Sequence, residues 1–360
     1  MRLSRLELRD WRCYDSLKLE LEDGLTVIEG GNGEGKTNIA EAIYYLSLAH
    51  SWRSSEDTPL RKMGCQISIV RACVCEGGFR RTIEVRLSKE GKRILLNDKP
   101  IRRLSELSTL VNVLLFTPED TELFTTSPSL RRNFLDVNIS KMDVGYLSSI
   151  GSYRHLLAER NGALKLEKGD RSYVEVLTDQ MVEIQKSVVL KRLAYVERLN
   201  KTLSTLASRL FGQTRSVRLV YRPFVYPDDK FTEEAKKAYQ RSLETDLLRK
   251  STSVGIHRED FHLLLDEKDV GTYGSQGENR LSAIALKLSP YFLVEEEDKK
   301  PIAVLDDVYS ELDEFHASSL TALLKDMGQV FVTATDLKIQ GASYVEVAAH
   351  QARRRNEYGE

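Results

Sequence analysis

The sequence of 360 residues predicts an α/β protein in which a mixed sheet is interrupted by a mostly helical lobe. Three observations lead to this fold class. Alternating apolar and polar stretches fill the first third, helical periodicity fills the middle, and strands alternating with helices return near the end. We therefore divide the chain into residues 1–127, an inserted helical lobe at 128–250, and residues 251–360, with the outer segments forming one domain.

The first segment shows the two-residue alternation of half-buried strands. Turn residues separate these strands at 76–78 and 97–100. The strands are expected to form a mixed or antiparallel sheet around a glycine-rich loop at residues 30–37. They cover residues 3–8, 17–21, 67–74, 81–87 and 93–96.

Helical spacing dominates the lobe, most clearly at 173–210, where apolar residues recur every three or four positions. A strand at 216–221 interrupts this pattern before a last helix at 232–249. The tail from residue 353 onward is expected to fray. In the final segment we predict strands at 261–265, 302–305 and 330–333 and a helix at 278–293.

A phosphate-binding motif follows the apolar run 25–28 and precedes a helix-like stretch at 38–46. Its backbone N–H groups can surround phosphate oxygens, Lys36 can neutralise the β and γ phosphates, and the Thr37 hydroxyl can bind Mg²⁺. Asn38 completes the predicted nucleotide site. The alternative is a chance glycine-rich turn. The motif consists of Gly30, Gly31, Asn32, Gly33, Glu34, Gly35, Lys36 and Thr37.

A second acidic segment can complete the nucleotide site. The apolar strand 302–305 ends in Asp306 and Asp307, and an apolar strand of this kind is typical of a parallel sheet buried on both faces. We predict that Asp306 holds Mg²⁺ through water and that Asp307 orients or deprotonates the attacking water. An ordinary strand ending in an acidic turn is the alternative.

Between these two segments, Ser275, Gln276 and Gly277 open a helix about 30 residues before Asp306. This pattern resembles the signature motif of ABC-type ATPases in their SMC-like branch, and it implies an ABC-type ATPase head. The resemblance also implies an ATP-dependent head-to-head homodimer, in which the signature contacts the γ-phosphate of ATP held by a second subunit. A hydroxyl, a glycine backbone and a helix N-terminus can together bind an anion. An ordinary capped helix is the alternative.

Nearly the whole chain resembles the RecF family of bacterial recombination mediators. The resemblance implies that Arg12 lies beside the base and Arg53 beside the phosphates of ATP. It also implies a clamp that closes on duplex DNA at gaps, junctions or stalled forks, acts with RecR and RecO to load recombinase, and is released by slow hydrolysis. The matching segments are 6–12, 52–57, 117–120, 128–136, 153–161, 255–260 and 331–336.

The chain departs from the family pattern at a few positions. Glu278 brings a negative charge close to the signature unless its side chain turns away or pairs with Arg280. Compared with ABC transporters, Asp307 replaces a glutamate and Thr335 replaces a switch histidine. Because aspartate is one methylene shorter, its reach to water is poorer and slow hydrolysis is expected.

The basic character of the middle segment is the only direct sign of a polyanionic partner. Residues 141–250 contain 21 lysines and arginines against 14 aspartates and glutamates, although the whole chain has a net charge of −1. The rival function is an ATP-gated protein scaffold that does not bind DNA directly. Each candidate phosphate contact has a structural role as its alternative; Arg131 and Arg132, for example, could pair with Asp136 or cap the preceding segment. The candidates are Arg131, Arg132, Arg154, Arg160, Lys191 and Arg192.

Several classes of protein are excluded or disfavoured. No run of about 18 apolar residues predicts a membrane span, and the N-terminus does not have the pattern of a signal peptide, so a cytoplasmic protein is expected. The lobe is too short and lacks the sustained heptads of a long coiled coil. The four cysteines lack zinc-site spacing, and we assign them no chemistry.

Overall fold

The computed structural model describes residues 1–101, 107–166 and 171–355. Its strands are β1 (Arg2–Trp11), β2 (Tyr14–Glu20), β3 (Gly24–Glu29), β4 (Ile67–Glu76), β5 (Phe79–Ser88), β6 (Gly91–Leu96), β7 (Lys99–Pro100), β8 (Val113–Phe116), β9 (Val217–Arg222), β10 (Asp260–Leu265), β11 (Lys268–Asp269), β12 (Ile302–Leu305), β13 (Gln329–Ala334), β14 (Ser343–Ala348) and β15 (Gln351–Arg355).

The α-helices are α1 (Lys36–Leu48), α2 (Leu107–Leu110), α3 (Pro128–Met142), α4 (Val144–Ala163), α5 (Arg171–Phe211), α6 (Phe231–Arg249), α7 (Val270–Tyr273), α8 (Gln276–Leu288) and α9 (Glu314–Lys325). Short 3₁₀ helices cover Thr58–Leu60, Pro118–Glu122, Ser289–Leu293 and Glu297–Lys299. Among the helices described, none has the length and apolar character needed to cross a membrane.

The chain divides into two compact units. The head unit contains Met1–Thr121, Thr205–Thr214 and the described part of Arg280–Glu360. The lobe unit contains Glu122–Ser204 and Arg215–Asn279. The sequence predicted domain boundaries after residues 127 and 250, and these boundaries stay a prediction.

The head unit contains two six-stranded sheets, whereas the sequence predicted one mixed sheet around the loop. The first sheet is antiparallel with the order β2-β1-β4-β5-β6-β7, and its alternating residues bury one face. The second has the order β15-β14-β3-β13-β12-β8 and is parallel except at β15. The strand that precedes the loop, β3, lies in the second sheet because residues 25–28 are apolar or buried on both faces.

The lobe unit combines long helices with a small antiparallel sheet of order β11-β10-β9. The predicted helices at 173–210 and 232–249 are confirmed as α5 and α6, and the strand at 216–221 as β9. The strand predicted at 261–265 is β10, which pairs with β9.

Two local predictions were wrong. The helix expected at 278–293 ends at Leu288, because Pro290 cannot continue the hydrogen-bond ladder and the chain passes into a 3₁₀ turn. The tail expected to fray from residue 353 is ordered through Arg355 in β15, which pairs antiparallel with β14. Residues 356–360 of that predicted tail lie outside the described residues.

Candidate nucleotide-binding site

The glycine-rich loop at residues 30–35 connects β3 to α1, at the carboxyl edge of the parallel sheet. Gly35 has φ +114°, and a Cβ there would lie 2.8 Å from the Tyr14 hydroxyl. A Cβ on Gly30 would lie 2.2 Å from the carbonyl oxygen of Val347. Only glycine therefore fits at these two positions, and the close backbone leaves N–H groups available for phosphate.

Lys36 extends over this loop. Its ammonium donates to the carbonyl oxygens of Gly30 at 2.7 Å and Gly31 at 2.8 Å. Burial lowers the pKa of Lys36, and the carboxylates of Asp307 and Asp306 oppose that effect. The ammonium is thus held against the loop that is predicted to bind the phosphates.

Asp306 and Thr37 meet at the end of β12. The Thr37 hydroxyl donates to Asp306 Oδ1 at 3.0 Å, and the Thr333 hydroxyl donates to the same oxygen at 2.6 Å. Burial raises the pKa of the Asp306 carboxyl, while these two hydroxyls oppose the shift. A hydroxyl beside a carboxylate is an oxygen donor set suited to Mg²⁺, so the two predicted metal ligands fit that ion.

Asp307 has different surroundings from its neighbour. Its side chain is exposed, whereas Asp306 is only 7 % exposed. Its backbone has φ +48°, in the left-handed region that aspartate tolerates better than most residues, and its N–H donates to Thr333 Oγ1 at 2.9 Å. This backbone turn gives the two consecutive carboxylates different exposure.

Arg12 and Arg53 are joined by a residue that the sequence reading missed. Glu41 is fully buried on α1, and its carboxylate accepts two hydrogen bonds from the Arg12 guanidinium, at 2.7 and 2.5 Å. Arg53 lies 3.6 Å from Glu41 and donates to Asn38 Oδ1 at 2.8 Å. A charged residue within the apolar run 39–43 was the signal that could have identified Glu41.

A cleft of about 870 Å³ opens beside the loop. Arg12, Asn38 and Arg53 line it, together with Arg61 and Lys62. The structure therefore brings three of the predicted nucleotide-binding residues to one positively charged depression in the head unit.

The signature begins α8 with a reciprocal hydrogen-bond pair. The Ser275 N–H and hydroxyl donate to Glu278 Oε2 at 2.9 and 3.1 Å, and the Glu278 N–H donates to Ser275 Oγ at 3.2 Å. Ser275, Gln276 and Gly277 are exposed. The Glu278 side chain does not turn away from the signature, because Oε2 accepts from Ser275. Its other oxygen accepts from Arg215 at 3.0 Å, so the predicted pairing with Arg280 is wrong.

The lobe buries half of the cations predicted to contact phosphate. Arg131, Arg160 and Arg192 are 7, 1 and 1 % exposed. Arg131 pairs with Asp260 and Arg160 pairs with Asp246. Arg192 pairs with both Asp136 and Glu259. Burial excludes these three from contact with a duplex, and sequence alone could not distinguish buried from exposed arginines. Arg154 remains exposed, Arg132 is half-buried, and Lys191 pairs with Asp143.

The head unit and its loop define an SMC-like ABC-type ATPase, which confirms the predicted fold class and enzyme class. The family model described as RecF/RecN/SMC N terminal domain matches residues 2–353. Two solved SMC head domains share this fold at TM-scores of 0.59 and 0.60 and at 18 and 15 % identity.

More similar relatives define the family within this class. The chain is 35 % identical over 351 residues to the DNA replication and repair protein RecF of Halalkalibacterium halodurans, covering 94 % of this chain and 93 % of the relative. RecF of Bacillus subtilis is also 35 % identical, with 94 % of both chains covered. A solved structure matches this chain at TM-score 0.90 and 30 % identity, covering 98 % of both chains. It is described as the recombination mediator protein RecF-ATPrS in the RecFOR pathway. The chain belongs to the RecF family of DNA replication and repair proteins.

Proposed function

We propose that this protein is an ATP-dependent clamp that dimerises on ATP, binds duplex DNA at gaps, junctions or stalled forks, and helps to load recombinase in recombinational repair. The observation that carries the proposal is the meeting of Lys36, Thr37 and Asp306 around one loop, in a chain that also exposes the signature Ser275. A phosphate site and an exposed anion-binding turn are the two halves of a composite nucleotide site.

ATP is the proposed ligand of the head unit. The loop N–H groups and Lys36 would bind its phosphates, and Arg12, Asn38 and Arg53 would contact it from the adjacent cleft. Mg²⁺, held by Thr37 and through water by Asp306, would neutralise charge on the phosphates. Two solved RecF structures, described as RecF-ATP and RecF-ATPrS, support this ligand.

Hydrolysis is assigned to Asp307, whose exposed carboxylate would orient or deprotonate water. The short aspartate side chain supports slow turnover that releases the clamp. In the proposed dimer, Ser275, Gln276 and Gly277 of one chain cap the γ-phosphate bound by the other.

Duplex DNA and the mediators RecR and RecO are the proposed partners. The solved RecF structure is described as part of the RecFOR pathway, which supports RecR and RecO as partners. The excess of lysine and arginine in the lobe supports DNA as a partner. Arg154 is the candidate contact whose side chain is most exposed, at 64 %. Phosphate contacts of this kind would position a duplex without reading its sequence.

The alternative is an ATP-gated protein scaffold without direct DNA binding. The burial of Arg131, Arg160 and Arg192 favours it, because it removes three cations from the lobe surface. The two functions differ in their dependence on salt, since release of counterions from DNA gives a steep fall in affinity as salt rises.

Light scattering with and without ATP and Mg²⁺, with duplex binding measured in parallel at several salt concentrations, tests the proposal. The parent should dimerise on ATP and bind duplex more tightly as it does so. Lys36→Arg should lose the response, whereas Ser275→Arg should still bind ATP but remain monomeric. Ser16→Arg adds the same charge at an exposed position of β2 and should behave as the parent.

Two results would overturn the clamp. A parent that stays monomeric with ATP contradicts the composite site. A parent that dimerises but does not bind duplex more tightly with ATP also contradicts the clamp: equal binding without ATP removes the ATP gate, whereas no binding at all favours the scaffold.

A further inference from the structure

Arg280 lies in the first turns of α8, five residues after Ser275, and its side chain is buried in the head unit. Its guanidinium donates to the carbonyl oxygen of Val308 at 3.0 Å and, at 3.5 Å, to that of Asp307. It also pairs with the carboxylate of Glu311. Arg280 therefore connects the signature helix to the segment that follows β12.

The backbone that Arg280 contacts needs support. Asp307 has φ +48°, a conformation that costs free energy for a residue with a side chain. Three side chains hold this turn. Thr333 Oγ1 accepts from the Asp307 N–H, and the Ser310 hydroxyl donates to the Asp307 carbonyl at 3.1 Å. Arg280 donates to the same carbonyl at 3.5 Å and is the group that also holds the next carbonyl, that of Val308. The direction of the Asp307 carboxylate depends on this turn.

The Glu311 pair alone does not explain the burial of Arg280. The Glu311 side chain is 76 % exposed, so its pairing contributes little in water. The Arg280 Nε is buried without a hydrogen-bond partner in the described residues, which costs free energy. A short apolar residue would fill this position at lower cost if only packing were required.

We propose that Arg280 is a positioning residue for hydrolysis: it fixes the turn at Asp307 within its own chain, and so sets the reach of that carboxylate to water. This inference rests on the proposed roles of Asp307 and Ser275. Arg280 lies on α8, the helix whose first residues are proposed to cap the partner's nucleotide, so the test has to separate an effect on Asp307 from an effect on the signature.

The first test separates binding from turnover. Arg280→Gln should retain ATP affinity within about twofold, because the loop is untouched, while kcat falls about tenfold to a hundredfold, as expected when a reacting group is displaced. Glu311→Gln removes the exposed partner but leaves the carbonyl contacts, so its kcat should stay within about twofold of the parent. Arg280→Lys keeps a charge and a donor, and should recover part of the loss if Arg280→Gln folds poorly.

Mixed dimers then locate the effect. A chain carrying both Ser275→Arg and Arg280→Gln, paired with the parent chain, leaves one complete site, which uses the Asp307 of the doubly substituted chain. A Ser275→Arg chain paired with an Arg280→Gln chain also leaves one complete site, but its Asp307 belongs to the chain with an intact Arg280. The first dimer should lose turnover, and the second should match a Ser275→Arg chain paired with the parent.

Loss of turnover in the second mixed dimer, with or without loss in the first, would overturn the inference, because Arg280 would then act through the signature helix on which it lies. Parent-like kcat in Arg280→Gln would also overturn it while leaving the clamp intact. A parent that fails to dimerise on ATP contradicts the clamp, and the comparison of Arg280→Gln with Glu311→Gln still decides whether Arg280 positions Asp307.

Discussion

The head and lobe units both bury charged side chains, but they arrange them differently. In the head, the buried carboxylate of Glu41 holds Arg12 and Arg53, whose side chains are 15 and 40 % exposed beside the cleft. In the lobe, Arg192 and both of its carboxylate partners, Asp136 and Glu259, are buried together. In the head a buried carboxylate holds two partly exposed cations, whereas in this lobe network the cation and its carboxylates are all buried.

This difference shows that the charge of a segment is not the charge of its surface. Residues 141–250 have an excess of cations, yet Arg160 and Arg192 in that range are almost fully buried. A buried ion pair is costly to break but does not attract a distant polyanion as an exposed cation does. The proposed binding of DNA by the lobe would therefore depend on fewer side chains than its composition suggests.

The largest expected effect comes from breaking the lobe network. Arg192→Met leaves Asp136 and Glu259 buried without their cation, and should lower the free energy of unfolding by roughly 3–5 kcal/mol. Arg154→Met removes an exposed partner of the same Asp136 and should cost at most about 1 kcal/mol. Urea denaturation of both variants measures the contrast, and equal losses would show that the lobe network is no different from a surface pair.

The second prediction concerns pH and the interior of the lobe. The Tyr153 hydroxyl lies 2.6 Å from His257 Nδ1, and the ring's other nitrogen lies 3.0 Å from the Thr252 carbonyl, which can only accept. Burial lowers the pKa of His257 to about 4, with Arg258 and Arg132 adding to the shift and Thr252 and Asp246 opposing it. The ring is therefore neutral in the folded protein at neutral pH.

The sign of the pH effect follows from that lowered pKa. Below about pH 6.5 the unfolded chain binds a proton that the folded chain does not, so stability falls as pH drops from about 6.5 to 4. His257→Gln does not titrate, and the parent should lose about 3 kcal/mol relative to it between pH 7 and pH 4. A stability difference between the two proteins that does not change with pH would contradict the buried neutral ring.

The sequence predicted the nucleotide-binding residues of the head better than the ion pairs of the lobe, for a physical reason. The loop at 30–37 and the acidic end of β12 are local patterns, since the backbone needs glycine and the phosphates need a cation at fixed spacing. The parallel sheet then brings these segments together, as the contact between Thr37 and Asp306 shows. Local chemistry and fold class were enough to find both.

Partners distant in sequence could not be predicted in the same way. Glu41 and Arg12 are 29 positions apart, Arg192 and Glu259 are 67 apart, and no periodicity connects either pair. The second sheet was missed because the chain enters β3 between strands of the first sheet, so order along the chain did not reveal order in space. Pairing across long separations depends on tertiary packing, which a local pattern does not contain.

A third prediction tests whether Glu41 fixes the positions of Arg12 and Arg53 in the head. Glu41→Gln keeps the shape of the side chain but removes the charge that holds Arg12 and Arg53, and should cost roughly 1–3 kcal/mol of stability. ATP affinity should also fall, because both guanidiniums lose their fixed position. Glu56→Gln, a matched change at an exposed position nearby, should alter neither property. Titration with ATP and urea denaturation measure the two effects, and a stability loss with unchanged ATP affinity would mean that Glu41 only supports the fold.

The smallest expected effect concerns the signature, where a carboxylate accepts from both donors of Ser275. The Ser275 N–H and Arg215 hold the pKa of Glu278 below its usual value, so this group is charged at neutral pH and would repel a partner's triphosphate. Glu278→Gln keeps an acceptor for Ser275 while removing the charge, and should tighten ATP-driven dimerisation by about twofold to fivefold, within the range of one partly exposed charge. Asp266→Asn removes the other partner of Arg215 without touching Ser275, and serves as the control in the same light-scattering titration. If Glu278→Gln weakens the dimer instead, Glu278 serves mainly to cap α8, and this carboxylate of the lobe unit would then act as Asp136 and Glu259 do, for structure alone.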